Sequence, residues 1–186
     1  MKKIIMVAAL AIASVTAFAQ QKFAHVNFVE LVQLMPEMDA ARATLEASSL
    51  EAQETLSAME EEFTAKYKVY QQKAQTWTPA VRETKEKELG EIQRRLQEFE
   101  QTITMELQQQ QQTLMAPIQQ KANETVKALA KEGGYVYVFD VNGPIYIDET
   151  QSVDLTPAAR TALGIAEGRT LESLSQEIQA KQAATE

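Results

Sequence analysis

The residues able to do chemistry are few in kind. Asp and Glu number 26 against 18 Lys and Arg, but there is one histidine and no cysteine. His25 has no thiolate or second imidazole with which to hold a zinc ion, and reads as a strand or surface histidine. Gly133-Gly134 leads into a β-rich run rather than into the Gly-Lys-Ser/Thr that cradles phosphate. No G-x-S-x-G, His-Glu-x-x-His or dinucleotide fingerprint occurs. The carboxylates fall at spacings that place them on the solvated faces of long helices. No cofactor, metal or enzymatic activity is expected. The chemistry left is binding by apolar and aromatic side chains: Tyr67, Tyr70 and Trp77 in one stretch, and Tyr135, Tyr137, Phe139, Ile145 and Ile147 in another.

The first group lies on a predicted helical hairpin. Residues 37–76 contain no Gly or Pro and are rich in Ala, Glu, Leu, Gln and Lys, all strong helix formers. Met38, Leu45, Ala52, Met59 form one heptad register and Ser49, Leu56, Phe63, Tyr70, Trp77 the other, together a coiled-coil seam. Lys66 and Lys73 then enter the first register, so the seam becomes one-sided toward its far end. Thr78-Pro79 supplies an N-cap and a proline at the first helical position. A second helix is predicted to about Lys131, with Leu89, Ile92, Leu96, Phe99 and Ile103 in rhythm and a stutter to Leu107 and Leu114. Glu62/Lys66, Glu83/Lys87 and Glu91/Arg95 stand as favourable pairs four apart. The Gln108–Gln112 run reads as a polar helix face, and Pro117 is expected to kink the helix. Gly90 reads equally as a flexing point or a tolerated surface glycine.

The outgoing run from Val29 to Thr76 spans 48 residues and the return from Pro79 spans 53. Each leg therefore reaches roughly 60–80 Å, and nearly equal legs joined at Trp77-Thr78 must be antiparallel with their open ends together. Tyr67, Tyr70 and Trp77 sit near the tip. They form a contact surface there or, for Tyr70 and Trp77 on the seam register, part of the hairpin's own packing.

The leg lengths bring Phe23-Ala24-His25-Val26-Asn27-Phe28, an alternating strand, beside residues 135–148. There, Asn142-Gly143 separates two β-rich runs and favours a type I′ turn, so 135–148 is expected to be a β-hairpin. Three short strands bury little apolar surface against the backbone entropy they lose. The β part is therefore expected to associate with copies of itself, through Val26, Phe28, Tyr135, Tyr137, Phe139, Ile145 and Ile147. Asp154-Leu155-Thr156-Pro157 opens a short helix to about Leu163, stopped by Gly164. Beyond it the chain is polar, with Leu171, Leu174 and Ile178 allowing one weak amphipathic helix.

The first residues set the compartment. Met1-Lys2-Lys3, the apolar stretch Ile4 to Ile12, and Ala17-Phe18-Ala19 predict a secretory signal peptide cleaved after about Ala19. Losing Lys2 and Lys3 takes the formal charge from −8 to −10, which disfavours non-specific binding to nucleic acid or anionic lipid. The expected organisation is α+β: a signal peptide (1–19), a discontinuous β body (20–36 and 132–163), a helical hairpin (37–131) and a polar tail (164–186).

"AHVNF", Pro36-Glu37, "MAPIQQKANETVKALAKEGGYVYVFD" and "IYIDETQSVDLTP" together make the chain resemble the Skp (OmpH-like) periplasmic chaperones over about residues 23–163. Pro117-Ile118, the Ala130 to Tyr135 run and Asp154-Leu155-Thr156 are the most specific pieces. The resemblance implies a homotrimer with a shared β body and helical tentacles around a cavity. It also implies an ATP-independent holdase that keeps unfolded outer-membrane proteins from aggregating in the periplasm. The alternative is a structural coiled-coil spacer or adaptor. Known members are strongly basic whereas this chain is acidic, so no lipopolysaccharide site is carried over. Met35 also departs from the small polar residue usual before the proline. With the charge inverted, Tyr67, Tyr70 and Trp77 are the candidates for client contact.

Overall fold

The computed structural model describes residues 21–184, so the signal peptide expected over 1–19 lies outside the described residues. The elements are β1 (Lys22–Val26), α1 (Phe28–Leu34), α2 (Pro36–Lys73), α3 (Pro79–Gly133), β2 (Tyr135–Asp140), β3 (Ser152–Asp154), α4 (Thr156–Ala162) and α5 (Leu171–Ala183). Two compact units share them. One is Met35–Gln120; the other joins the described residues 21–34 with residues 121–184.

In the sheet-bearing unit, β1 stops two residues earlier than its alternation suggests. Asn27 Oδ1 accepts from the Glu30 N–H at 3.1 Å, and Asn27 Nδ2 donates to Glu30 Oε2 at 3.1 Å. This cap starts a helix at once, a contribution of about 1 kcal/mol. Phe28, expected to end the strand, is therefore in the first turn of α1 and half-buried. The α1 helix buries Leu31, Val32 and Leu34. It ends because Met35 precedes a proline and takes the extended geometry that position demands, with φ −61° and ψ 141°. The outgoing leg is thus two helices rather than one. Met35 makes no side-chain cap, but its side chain is fully buried.

The sheet differs most from expectation. Its order is β2-β1-β3, and both pairings are parallel. Phe23 aligns with Tyr137 and Ser152, and His25 with Phe139 and Asp154. Residues 135–148 do not form a hairpin. The Asp140 carboxylate accepts from the Asn142 N–H and the Gly143 N–H reaches Asp140 O at 2.9 Å, making a turn in which neither Asn142 nor Gly143 has positive φ. Pro144 explains the outcome: it follows the turn immediately and has no N–H to give a ladder. A second turn, with Gln151 N and Ser152 N donating to Asp148 O, leads into the third strand at Ser152 instead. Parallel neighbours need long crossovers, and the helices between β1 and β2 are that crossover.

The glycine pair before β2 has a defined purpose. Gly134 takes φ +68°, and a Cβ on Gly133 would lie 2.2 Å from the Tyr135 ring. The first glycine makes room for the aromatic and the second turns the chain out of α3.

The C-terminal residues fold onto the same unit. Asp154 Oδ1 accepts from Thr156 N, and Thr156 Oγ1 accepts from Asn27 N, fastening α4 to the end of β1. Leu155, Ala159, Leu163 and Ile165 are buried. Residues 171–183, read as a weak helix in a polar tail, form α5 with a reciprocal Thr170–Ser173 cap and a buried Leu174. Arg160 holds this arrangement: it pairs with Glu30 of α1 and donates to the Arg169 carbonyl.

In the other unit, α2 and α3 run antiparallel. Contacts step down one leg as they step up the other: Tyr70 with Glu86, Glu62 with Arg95, Ser48 with Gln110. The expected N-cap is present, with Val81 N donating to Thr78 Oγ1 at 3.4 Å. The seam takes Ala41 and Ser48 where the heptads offered Ser49, which is exposed. The α3 helix continues through Pro117, and nothing lies within 4 Å of a Cβ placed on Gly90.

Candidate functional site

Two surfaces gather the aromatic residues, one in each unit. At the turn of the hairpin, the Tyr70 hydroxyl donates to Glu86 Oε1 at 2.6 Å, which raises the pKa of the phenol and keeps it protonated. The Trp77 ring lies 6.0 Å from that of Tyr70, tilted by 60°. Both are half-buried, so these two belong in part to the hairpin's own packing. Tyr67 stacks on Phe63 at 5.8 Å and remains 44% exposed, with Val69 and Val81 exposed nearby. A pocket of about 240 Å³ is floored by Val69, Trp77 and Leu89 and edged by Lys66, Lys85 and Glu88. Lys85, hydrogen-bonded to Glu88, holds that carboxyl below its ordinary pKa.

On the sheet, Phe23 stacks on Tyr137 at 6.3 Å and Tyr137 on Phe139 at 6.0 Å. Residues one pairing apart in register and two apart along a strand share a face, so these rings form one aromatic layer. His25 lies on that face too, buried, with Nδ1 2.9 Å from Ser152 Oγ. Tyr137 is 58% exposed and Phe139 is exposed as well. Pro144, Tyr146 and Ile147 line a pocket of about 280 Å³ together with Phe23, Phe139 and Ser152. Ile145 is wholly exposed.

Of the residues singled out for assembly, Tyr137, Phe139, Ile145 and Ile147 thus lie at or beside one surface. Tyr135 is half-buried against Gly133. Val26 is not on a surface: it is core, as the inward position of the alternating strand requires. Phe23 and Tyr146 were overlooked. Phe23 was signalled by its place two residues before His25, whereas Tyr146 was assigned to a strand that does not form. Among the described residues no group of three His, Cys, Asp or Glu could hold a metal ion, and no helix is long and apolar enough to cross a membrane.

No curated protein matches the chain. The fold is similar to the crystal structure of an OmpH-like protein from Caulobacter crescentus CB15, assigned as an outer membrane chaperone. The TM-score is 0.69 at 16% identity, covering 78% of this chain and 85% of that one. The family of outer membrane proteins described as OmpH-like matches residues 22–163, from β1 to the end of α4. With the parallel sheet and the long helical excursion both inside that range, the chain belongs to the OmpH-like family.

Proposed function

We propose that this chain is an ATP-independent holdase of the periplasm, which binds unfolded outer-membrane proteins and prevents their aggregation in transit. The observation that carries the reading is the helical hairpin, long and incompletely zipped. Leu50, Tyr67, Val69, Val81 and Met105 are all exposed along it, separated by charged and polar positions. Dispersed apolar contacts suit a client without a fixed shape, and they are too scattered to form one obligate interface. Family membership and the chaperone assignment of the similar structure support the same reading. Tyr67, with Val69 and Val81, is the first candidate for client contact; Tyr70 and Trp77 contribute their exposed edges.

The working form is proposed to be a homotrimer joined through the aromatic sheet face. A layer of Phe23, Tyr137 and Phe139 beside an outward Ile145 is a larger contiguous apolar area than single surface residues account for. Holding a client needs no nucleotide, because binding the unfolded chain shifts the equilibrium by mass action alone.

The deciding experiment dilutes a urea-unfolded β-barrel protein into buffer with and without the purified chain, and follows light scattering. Suppressed aggregation at an equimolar amount of trimer is the expected result. Unchanged aggregation would refute the holdase reading and favour a spacer or adaptor.

A further inference from the structure

The middle of the hairpin holds a feature that the client-contact candidates do not use. Ser48, Ala52 and Thr55 of α2 are small residues facing Phe99, Ile103 and Leu107 of α3, and between them lies an open groove of about 390 Å³. The Gln110 amide donates to Ser48 Oγ at 3.0 Å at one end. The groove falls where the α3 rhythm slips after Ile103 and where α2 has no large side chain to follow it. An apolar cavity of ~150 Å³ takes a benzene ring, so this one has room for a large side chain, open to water on one side.

Two carboxylates, Glu51 and Glu106, line the same groove. Their surroundings are mostly negative, and the flanking Arg42, Arg94 and Arg95 pair with Asp39, Glu98 and Glu62. No Lys or Arg occurs in residues 43–65 or in residues 96–120, whereas Glu46, Glu54, Glu60, Glu61, Glu98 and Glu100 all do. Six of the hairpin's cations stand toward its turn: Lys66, Lys68, Lys73, Arg82, Lys85 and Lys87. A slot part apolar and part polar, with an acidic rim and with the flanking arginines already paired, complements one kind of occupant.

We infer that this groove binds client segments in which a Lys or Arg neighbours a large apolar side chain. The apolar group enters between Ala52 and Ile103, and the cation meets Glu51 or Glu106 at the rim. Alternating polar and apolar residues are what a chain destined for a β-barrel carries, and the acidic rim selects its cationic stretches. The inference rests on the holdase reading and names the client chemistry of its mid-hairpin part.

The test uses the full chain and two fluorescent peptides, one alternating Lys with Phe and the other alternating Glu with Phe, read by anisotropy at low salt. The Lys-Phe peptide is expected to bind about tenfold more tightly, the discrimination that one or two rim charges supply. Glu51→Gln with Glu106→Gln removes most of that preference. Glu60→Gln with Glu61→Gln, an equal loss of charge elsewhere on the hairpin, leaves it. Ala52→Phe fills the slot and weakens the Lys-Phe peptide while the helical circular dichroism is retained. Equal binding of the two peptides, tighter binding of the Glu-Phe peptide, or equal losses in the two double variants would overturn the inference. The aggregation assay separates the two readings. Suppression that persists without any peptide preference defeats the groove alone, and absent suppression defeats the holdase beneath it.

Discussion

Arg160 offers the most direct test of how the C-terminal residues are held. Its guanidinium pairs with Glu30 of α1 and donates to the Arg169 carbonyl just before α5, so one side chain ties three segments. The Arg160 and Glu30 side chains are 20% and 24% exposed. An exposed ion pair contributes ~0–1 kcal/mol, whereas removing one partner of a buried pair costs ~3–5 kcal/mol. At this intermediate burial, the pair should contribute about 2 kcal/mol, and the orphaned Arg169 carbonyl about 1 more. Arg160→Met keeps the aliphatic stem and should therefore destabilise this unit by about 3 kcal/mol. Glu30→Gln should cost about 1–2 kcal/mol, because the amide still accepts from Asn27. Urea unfolding of both single variants and the double, at fixed chain concentration, gives the coupling energy. Amide exchange in residues 171–183 should accelerate in the Arg160 variant before exchange in β1 does. A coupling below about 0.5 kcal/mol would refute the strength assigned to the Arg160–Glu30 pair, and unchanged exchange in α5 would show that Arg160 does not hold that helix.

Trp77→Ala should lower the melting temperature by only about 2–6 °C, since a half-buried aromatic pair contributes ~1–1.5 kcal/mol and each kcal/mol moves a chain of this size by ~2–4 °C. Capture of unfolded client should fall further than this; a large thermal loss with capture intact would instead assign Trp77 wholly to the hairpin's packing. Replacing Tyr137 and Phe139 together by Ser should move the mass seen by light scattering from about three chains toward one at unchanged helix content; an unaltered mass would place the assembly surface elsewhere. Hydrogen bonds from Thr150 lower the Asp148 pKa from its usual 3.8, so the turn gains stability above that pH and loses it as pH falls through the lowered value. Asp148→Asn should flatten this acid limb in exchange rates at residues 148–152, and an unchanged limb would refute the assignment.

The helices were legible because one local signal repeats many times along them. Heptads and the Thr78-Pro79 restart each carry their own physical cause, and an error at Ser49 against Ser48 moves only one position of the seam. The sheet was less legible because its signals conflict over a few residues. Asn142-Gly143 argues for a hairpin, while Pro144 withholds the N–H that a second strand needs and neither turn residue adopts positive φ. Direction of pairing is also non-local: β1 lies between β2 and β3 because Leu155 N bonds His25 O and Val141 N bonds Val26 O, contacts spanning over a hundred residues. The α5 helix was underread for a related reason. Its own apolar content is slight, and its anchors, Arg160 and the Thr170 cap, lie outside the stretch.

The candidate surfaces separate along the same line. An assembly face must be the same patch on every copy and contiguous enough to exclude water, and the ring layer of Phe23, Tyr137 and Phe139 has that character. A client surface must instead tolerate sequences it has never met, so its apolar positions should be spaced apart and interleaved with charge. Residues 43–65 and 96–120 satisfy this and add a sign: every charge they carry is negative. Salt therefore distinguishes the two surfaces. Screening at high ionic strength should weaken capture of cationic client segments along the acidic legs, while the buried rings of an assembled sheet face, being uncharged, should hold or tighten. If capture and oligomer mass instead fell together as salt rose, the aromatic face would not be what joins the chains.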